Sequence, residues 1–138
     1  MSISIASVQS ILAIDPATRN AGIMVEHASP DELVLALQVT SSHTNSAGIC
    51  HGGIIFLLAD SASGIAANIG TGDSVWVTTA SQVHYLASAR PGDRLWASCR
   101  LRWPAGSGIA HYETIVTDGN NVVSVVDATM KRVRGAAR

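Results

Sequence analysis

Hydrophobic residues recur at helical spacing in some stretches of this chain and at strand spacing in others. Near the start, the helical spacing predicts a helix over Ile5–Ile14, which Asp15-Pro16 ends. Apolar side chains alternate along Leu33–Thr40, which predicts a strand with its leucines on one face. The stretch Gly52–Ile69 is apolar at nearly every position, which indicates one long helix that is buried on all sides.

The second half of the chain alternates apolar and polar residues between strong turn signals. Arg90-Pro91-Gly92-Asp93 is one such signal, and Asp118-Gly119 is another that is typical of a β-hairpin. The runs between the turns predict four strands: Val75–Leu86, Arg94–Trp103, Gly108–Thr117 and Val122–Val133. Several antiparallel strands and one buried helix indicate an α+β domain in which a curved sheet wraps around the helix.

The composition indicates one domain that associates with other subunits. The chain has 138 residues, and we expect one domain over residues 1–138, with a helical segment at residues 1–15 and the central helix at residues 52–69. Hydrophobic residues make up 47% of the chain and charged residues only 14%. An ordinary soluble domain has about 25% charged residues. Part of the apolar surface is therefore expected to face a partner subunit.

Charge and cysteine content exclude several classes of function. The formal net charge of −1 gives no general attraction to nucleic acid or to anionic membranes. No apolar run reaches the ~20 residues that a membrane-spanning helix needs. Cys50 and Cys99 suit reduced thiols, so we expect a cytoplasmic protein. His43 and His111 lack metal-ligand spacing, and we expect neither a metal ion nor a cofactor.

One carboxylate, Asp60, lies within the apolar stretch that predicts the central helix. A buried charge is costly, so such a group is usually paired, hydrogen-bonded or functional. A purely structural Asp60, bonded to neighbouring backbone, is the alternative. Before it, Gly52-Gly53 stands at the expected helix N-terminus, where free N–H groups and the helix dipole favour negative charge. Glycine permits close approach to these N–H groups, as an oxyanion site requires.

The residues around these positions form a longer pattern, made of Asn45, Gly48, His51, Gly52, Gly53, Phe56, Leu58, Ala59, Asp60 and Ala62. Together with Asn68 and the Arg90–Asp93 turn, this pattern resembles that of the hotdog-fold thioesterases. The most similar branch is the phenylacetic-acid-degradation (PaaI-like) type. The resemblance extends from about residue 40 to residue 133.

This resemblance implies a hotdog fold, in which an antiparallel sheet of five to six strands wraps around one central helix. It also implies a homodimer that assembles further to a homotetramer, with an acyl-CoA substrate bound where two subunits meet. In such a site, the Gly52 backbone N–H polarises the thioester carbonyl, and Asp60 is the nucleophile or the general base. Asn45 and His51 are implied to position water or the thioester.

Further residues are expected to contact the substrate, namely Gly53, Ser63, Gly64, Thr79, Ser81 and Arg90. Gly53 would add a second N–H to that of Gly52, and Arg90 is a candidate contact for the phosphates of CoA. Family members often carry an aromatic residue at the position of Ser63. The small residue here predicts a roomier pocket, for an aryl or medium acyl group such as that of a phenylacetyl-CoA-like substrate.

We therefore predict an acyl-CoA thioesterase, a thioester hydrolase that releases free acid and CoA. One alternative is a hotdog-type acyl-thioester dehydratase or hydratase, although the pattern around His51 lacks the Phe-Pro-rich approach of those enzymes. Another is a non-catalytic acyl-CoA-binding sensor, which would need a DNA-binding extension that we do not expect. Cys50 beside His51 offers a nucleophile–base pair, but adjacent residues rarely face each other. His84 and Tyr85 either line the pocket or are ordinary strand residues.

Overall fold

The computed structural model describes residues 2–103 and 107–134, which form three α-helices and six strands. The helices are α1 (Ile5–Ile14), α2 (Pro16–Ala21) and α3 (Gly52–Asn68). The strands are β1 (Met24–Ala28), β2 (Leu33–Gln38), β3 (Ser74–Tyr85), β4 (Arg94–Trp103), β5 (Ile109–Thr117) and β6 (Val122–Arg134). A short 3-10 turn at Ser41–His43 lies in the loop that precedes α3.

The six strands form one antiparallel sheet in the order β1-β2-β4-β5-β6-β3. Helix α3 packs against β2, β3, β4, β5 and β6, so the sheet surrounds one side of it. This arrangement confirms the α+β class and the hotdog fold that the sequence predicts, with six strands rather than five. No helix in the described residues is both long enough and apolar enough to cross a membrane.

Most boundaries of the predicted elements agree with the structure to within two residues, but helix α2 and strand β1 were not predicted. Helix α1 ends at Ile14 as expected, but Asp15 then begins α2 instead of only ending α1. The Asp15 carboxylate accepts hydrogen bonds from the N–H groups of Ala17 and Thr18, and Pro16 stands in the first turn. Asp and Pro are favourable at a helix start, so the same two residues end one helix and begin the next.

The core lies between β2, β4 and the inner side of α3. The alternating residues Leu33, Leu35 and Leu37 of β2 are at most 1% exposed, as the strand pattern predicts. They belong to one cluster with Leu58 and Ala62 of α3. Burial of this apolar surface is the main stabilising term of the fold.

The expectation that α3 is buried on all sides is wrong for the single chain. Ile55, Leu58 and Ala62 are buried against the sheet, whereas Phe56 and Leu57 are only half-buried. The sheet of one chain covers one side of the helix and leaves the apolar side chains of the other side partly open. An apolar helix face that its own chain leaves uncovered is a surface that a partner can bury.

Strand β3 is the last strand of the sheet, and it is bonded to β6 along one edge only. Its side chains are almost all exposed, and they include Val75 at 40%, Val77 at 40% and Tyr85 at 53% exposure. A long edge strand presents unpaired N–H and C=O groups, so it is a template for pairing with a second chain. Trp76, which points inward, is the one residue of β3 that is buried.

Candidate active site

A cleft of about 290 Å³ opens at the N-terminus of α3. Three segments enclose it: the loop before α3, the first turn of α3, and the end of β3 with the residues that follow. The lining residues are Asn45, Ile49, Cys50, Gly52, Ile55, Tyr85, Leu86, Ala87 and Ser88. Asn45 and Gly52, both predicted site residues, therefore lie in one cleft, and Tyr85 joins them.

Asn45 is held by the loop it belongs to. Its side-chain Oδ1 accepts hydrogen bonds from the N–H groups of Ala47 at 2.9 Å and Ile49 at 3.4 Å. The loop closes tightly because Gly48 adopts a φ of 76°, in the left-handed region that glycine tolerates. With Oδ1 engaged, the amide NH₂ group is the part of the Asn45 side chain that remains to donate to a ligand.

His51 is the N-cap residue of α3, and its ring has a defined hydrogen-bond role. Its Nδ1 accepts from the backbone N–H of Gly53 at 2.8 Å. A neutral imidazole that accepts at Nδ1 carries its proton on Nε2, so Nε2–H is the donor that His51 presents outward. The side chain is exposed and therefore accessible to a ligand.

The two glycines at the start of α3 differ in what their N–H groups do. The Gly53 N–H is bonded to His51, whereas the Gly52 N–H has no acceptor within the described residues. A Cβ atom at Gly52 would stand 3.1 Å from the Tyr85 ring, and one at Gly53 would stand 3.0 Å from His51 Nδ1. Gly52 therefore offers an N–H without a protein acceptor at the positive end of the helix dipole, and the residue has no side chain of its own. Gly53, predicted as a second donor, is already engaged.

Asp60 lies further along the same helix and does not line the cleft. It follows Gly52 by eight residues, which at the rise of an α-helix is about 12 Å along the axis. Burial raises the pKa of the Asp60 carboxyl above its usual value, and a hydrogen bond from the Thr78 side chain on β3 opposes that rise. Within one chain, Asp60 is too far from the Gly52 N–H for both to act on one thioester.

Ser63 and Gly64 follow Asp60 on α3, and the structure separates their roles. Ser63 is 1% exposed, and its hydroxyl donates to the carbonyl oxygen of Asp60 at 3.1 Å. Within this chain the Ser63 side chain points into the packed side of the helix, and the substrate contact predicted for it stays a prediction. A Cβ atom placed on Gly64 would meet no atom within 4 Å, so the open space predicted beside Asp60 is at Gly64.

The other predicted substrate contacts lie on exposed surface away from the cleft. Thr79 and Ser81 are exposed on β3, and the Thr79 hydroxyl donates to the carbonyl of Thr129 at 3.2 Å. Arg90 lies in the turn before β4, where its backbone N–H donates to the Asp93 carboxylate at 2.8 Å and its side chain is exposed. None of these three side chains meets the Gly52 cleft within one chain.

Two residues near the site have structural explanations. Cys50 is 4% exposed, burial raises the pKa of its thiol, and its Sγ lies 3.9 Å from the backbone oxygen of His51 rather than near the ring. A nucleophile–base pair of Cys50 and His51 is therefore not formed. Asn68, part of the sequence pattern, bonds the carbonyl of Gly64 and both backbone groups of Trp76, so it fastens the end of α3 to β3.

Tyr85 is the site residue that the sequence left undecided. Its hydroxyl donates to the carbonyl oxygen of Gly52 at 2.9 Å, and its ring forms a wall of the cleft. His84, its neighbour, points to the opposite face of the sheet because side chains alternate along a strand. The packing of α3 against the end of β3 decides that Tyr85, and not His84, lines the cleft. No local sequence pattern predicts that packing.

Comparisons with known proteins bear on the family and the fold of this chain. The sequence model of the thioesterase superfamily matches residues 47–127, which is more than half of the chain. A candidate esterase from Deinococcus radiodurans is 38% identical over 76 residues, which are 55% of this chain and 50% of that protein. The chain thus matches about half the length of that relative.

Solved structures with the same fold include two proteins of phenylacetic acid degradation. The PaaI protein of E. coli superposes with a TM-score of 0.84 at 23% identity, over 96% of this chain and 98% of that one. A mutant of the PaaI protein of Thermus thermophilus superposes with a TM-score of 0.79 at 28% identity, over 86% of this chain and 100% of that one. The first similarity supports the fold, and the second adds a modest similarity in sequence.

Proposed function

The chain belongs to the thioesterase superfamily, and on that premise we propose that it hydrolyses an acyl-CoA thioester to the free acid and CoA. The single observation that carries this proposal is the Gly52 N–H at the start of α3, which has no acceptor within the described residues and belongs to a residue that lines the cleft. Such a donor stabilises the negative charge that develops on a thioester carbonyl oxygen during attack.

We propose that the complete site needs two chains. Gly52 and Asp60 of one chain are eight residues apart, about 12 Å along the axis of α3, which is too far for both to act on the same bond. The uncovered face of α3 and the exposed edge of β3 give a second copy two surfaces to bury. A homodimer joined there can bring Gly52 of one chain towards Asp60 of the partner subunit, and dimers can associate further into a homotetramer.

The proposed reaction uses few groups because a thiolate leaves easily. The carbonyl oxygen of the thioester accepts a hydrogen bond from the Gly52 N–H, and the NH₂ of Asn45 and Nε2–H of His51 orient the substrate or the attacking water. Asp60 either takes a proton from that water or attacks the carbonyl carbon itself. The C–S bond of the tetrahedral intermediate then breaks, and CoA leaves as the thiolate. After attack by water the other product is the free acid. After attack by Asp60 it is an acyl–Asp60 anhydride, which a water molecule hydrolyses to the free acid and the Asp60 carboxylate.

The space beside Asp60 supports a proposal for the class of substrate. Gly64 leaves the helix surface open one turn beyond the carboxylate, which supports an aryl or medium acyl group at that position. Arg90, exposed in the turn before β4, is available for the phosphates of CoA. The variant Gly64→Leu fills this space, so it should reduce hydrolysis of bulky acyl groups before that of acetyl-CoA. The reverse order would contradict this placement of the acyl group.

A thiol-trapping assay with a panel of aryl- and alkyl-CoA thioesters tests the proposed function. Wild type should release CoA from at least one aryl or medium acyl thioester, and Asp60→Asn and Asp60→Ala should not. Tight binding of an acyl-CoA without any release of CoA would instead indicate a sensor. Hydration of an enoyl-CoA without hydrolysis would indicate the hydratase alternative. Unchanged turnover in both Asp60 variants would overturn the role of that residue.

A further inference from the structure

A continuous chain of hydrogen bonds connects β3 to His51 through the first peptide of α3. The Tyr85 hydroxyl donates to the carbonyl oxygen of Gly52 at 2.9 Å. That carbonyl belongs to the same peptide unit as the Gly53 N–H, which donates to His51 Nδ1 at 2.8 Å. A hydrogen bond accepted by a peptide carbonyl polarises the unit and strengthens the bond that its N–H donates.

Steric contacts hold the same three groups in place. A Cβ atom at Gly52 would be 3.1 to 3.2 Å from three atoms of the Tyr85 side chain, and one at Gly53 would be 3.0 Å from His51 Nδ1. The two glycines therefore allow the tyrosine ring and the imidazole to lie directly against the start of the helix. Larger residues would separate the ring from the peptide to which its hydroxyl is bonded.

We propose that Tyr85 is a positioning residue for His51. Through the Gly52–Gly53 peptide, it holds the imidazole in one orientation and one tautomer, in which Nε2–H is the donor offered to the substrate. This inference rests on the proposed function, in which His51 orients the thioester or the attacking water. It also limits the chemistry of His51, because a ring whose Nδ1 is occupied and whose Nε2 carries a proton cannot take a proton from water. Asp60 is then the group that either takes that proton or attacks the thioester itself.

The position of Tyr85 suits this role. The side chain is 53% exposed, so little of the stability of the core depends on it. Its hydroxyl could bond to water, yet it bonds to the helix terminus 33 residues earlier in the chain. A residue that contributes little core packing and still reaches the first turn of α3 is suited to orient the groups there. The chain has only one other tyrosine, Tyr112 on β5, which lies outside the cleft and provides a matched control.

The test compares wild type with Tyr85→Phe, His51→Ala, the double variant and the control Tyr112→Phe. The first readout is the exchange rate of the Gly53 amide proton, measured by NMR. Loss of the Tyr85 hydroxyl should weaken the bond from Gly53 to His51 and speed exchange of that proton by about three- to tenfold, the effect of one neutral hydrogen bond. Tyr112→Phe should leave the Gly53 rate unchanged. This readout needs no substrate, so it remains valid if no thioester is hydrolysed and the proposed function fails.

The second readout is kcat/KM on the best thioester of the panel. Tyr85→Phe should lower it by about three- to tenfold. If Tyr85 acts through His51, the hydroxyl should matter no longer once the imidazole is gone, and the double variant should equal His51→Ala alone. Multiplicative losses in the double variant would show that Tyr85 acts by another route and would overturn the inference. If the Gly53 amide proton of Tyr85→Phe exchanges at the wild-type rate and kcat/KM is also that of wild type, the inference is overturned as well.

Discussion

The two ends of helix α3 are built in opposite ways. At the C-terminal end, Asn68 makes hydrogen bonds to Gly64 and to both backbone groups of Trp76, and Thr71 bonds the carbonyls of Asn68 and Ser74. At the N-terminal end, the Gly52 N–H has no acceptor in the described part of the chain, and a cleft lies before it. One end is closed and contributes stability, whereas the other is left open and is available for chemistry.

This difference predicts which substitutions affect activity and which affect folding. Changes near the open end and at Asp60 should lower turnover while the protein stays folded. Changes at the closed end should lower the free energy of unfolding while the intrinsic turnover of the folded protein stays close to normal. Active sites commonly sacrifice some stability to keep polar groups unsatisfied, so the two effects should separate.

The largest expected effect is at Asp60. Asp60→Asn should lower kcat by about 10²- to 10⁴-fold, the usual contribution of a general base. Burial raises the pKa of Asp60, so the folded chain holds this proton more tightly than the unfolded chain does. Ionising the buried Asp60 carboxyl therefore lowers the free energy of unfolding. This loss is absent at low pH, where the carboxyl is protonated in both states, and it is fully present once the pH exceeds the pKa of the folded state. Asp60→Asn should therefore raise the Tm at pH 7, and less so at pH 4. A lower Tm at pH 7 would show that the carboxylate is structural.

The next largest effect is at Gly52. Gly52→Ala keeps the backbone N–H, but its Cβ must displace the Tyr85 ring from a separation of 3.1 Å. We expect kcat/KM to fall by about 10- to 10²-fold, because misplacing a catalytic group by a fraction of an ångström to 1 Å has effects of this order. The double variant Gly52→Ala, Tyr85→Ala removes the steric conflict and should recover part of the loss relative to Gly52→Ala. A double variant less active than Gly52→Ala would contradict the steric explanation.

At the closed end, the expected effect is on stability. Asn68→Ala removes the hydrogen bonds that join α3 to Trp76 and should lower the free energy of unfolding by about 1–3 kcal/mol. The measurement is urea unfolding, together with kcat at a temperature where the variant is folded. Asn120→Ala is the matched control, since that residue is exposed in the β5–β6 turn and its backbone N–H, not its side chain, bonds Asp118. A large loss of kcat without loss of stability in Asn68→Ala would refute the division between the two ends.

The smallest expected effect is on the pH profile. Asp60 must be ionised to act as base or nucleophile, so activity should fall as the pH drops through its raised pKa, above the ordinary value of about 3.9. The Thr78 side chain opposes that rise, and Thr78→Val should move the acidic limb of kcat to still higher pH. Thr79→Val is the control, because its hydroxyl bonds Thr129 instead. If the acidic limb does not move in Thr78→Val, the Thr78 side chain has no effect on the pKa of Asp60.

Regular elements with a strong pattern could be predicted from the sequence. Helix α1, strand β4 and the start of α3 lie where spacing, proline and glycine place them. Helix α2 could not be predicted with the same rules. Asp15-Pro16 satisfies both a stop and a start signal, and the helix is only six residues long before the cap at Gly22. The apolar composition of α3 predicted burial on every side, but a sequence pattern does not say whether one chain or two provide the cover.

The site was predictable where local chemistry determines it. Asn45 and Gly52 are close in sequence and line one cleft, and His51 is the N-cap of the same helix, so local structure alone brings these residues near each other. Tyr85 depends on how β3 packs against α3, 33 residues away, so its bond to Gly52 has no local signal. Ser63 and Gly64 are adjacent and both small, and only the rotation of α3 against the sheet decides that Gly64, not Ser63, borders open space.

A complementation experiment tests the central proposal most directly, namely that Gly52 of one chain works with Asp60 of another. Gly52→Ala and Asp60→Asn subunits are each expected to form weakly active or inactive proteins alone. In a mixed dimer, one of the two sites combines an intact Gly52 with an intact Asp60. After random exchange of equal amounts, about a quarter of wild-type kcat should therefore return, since half of the dimers are mixed. Activity equal to the average of the two separate variants would contradict a site shared between subunits.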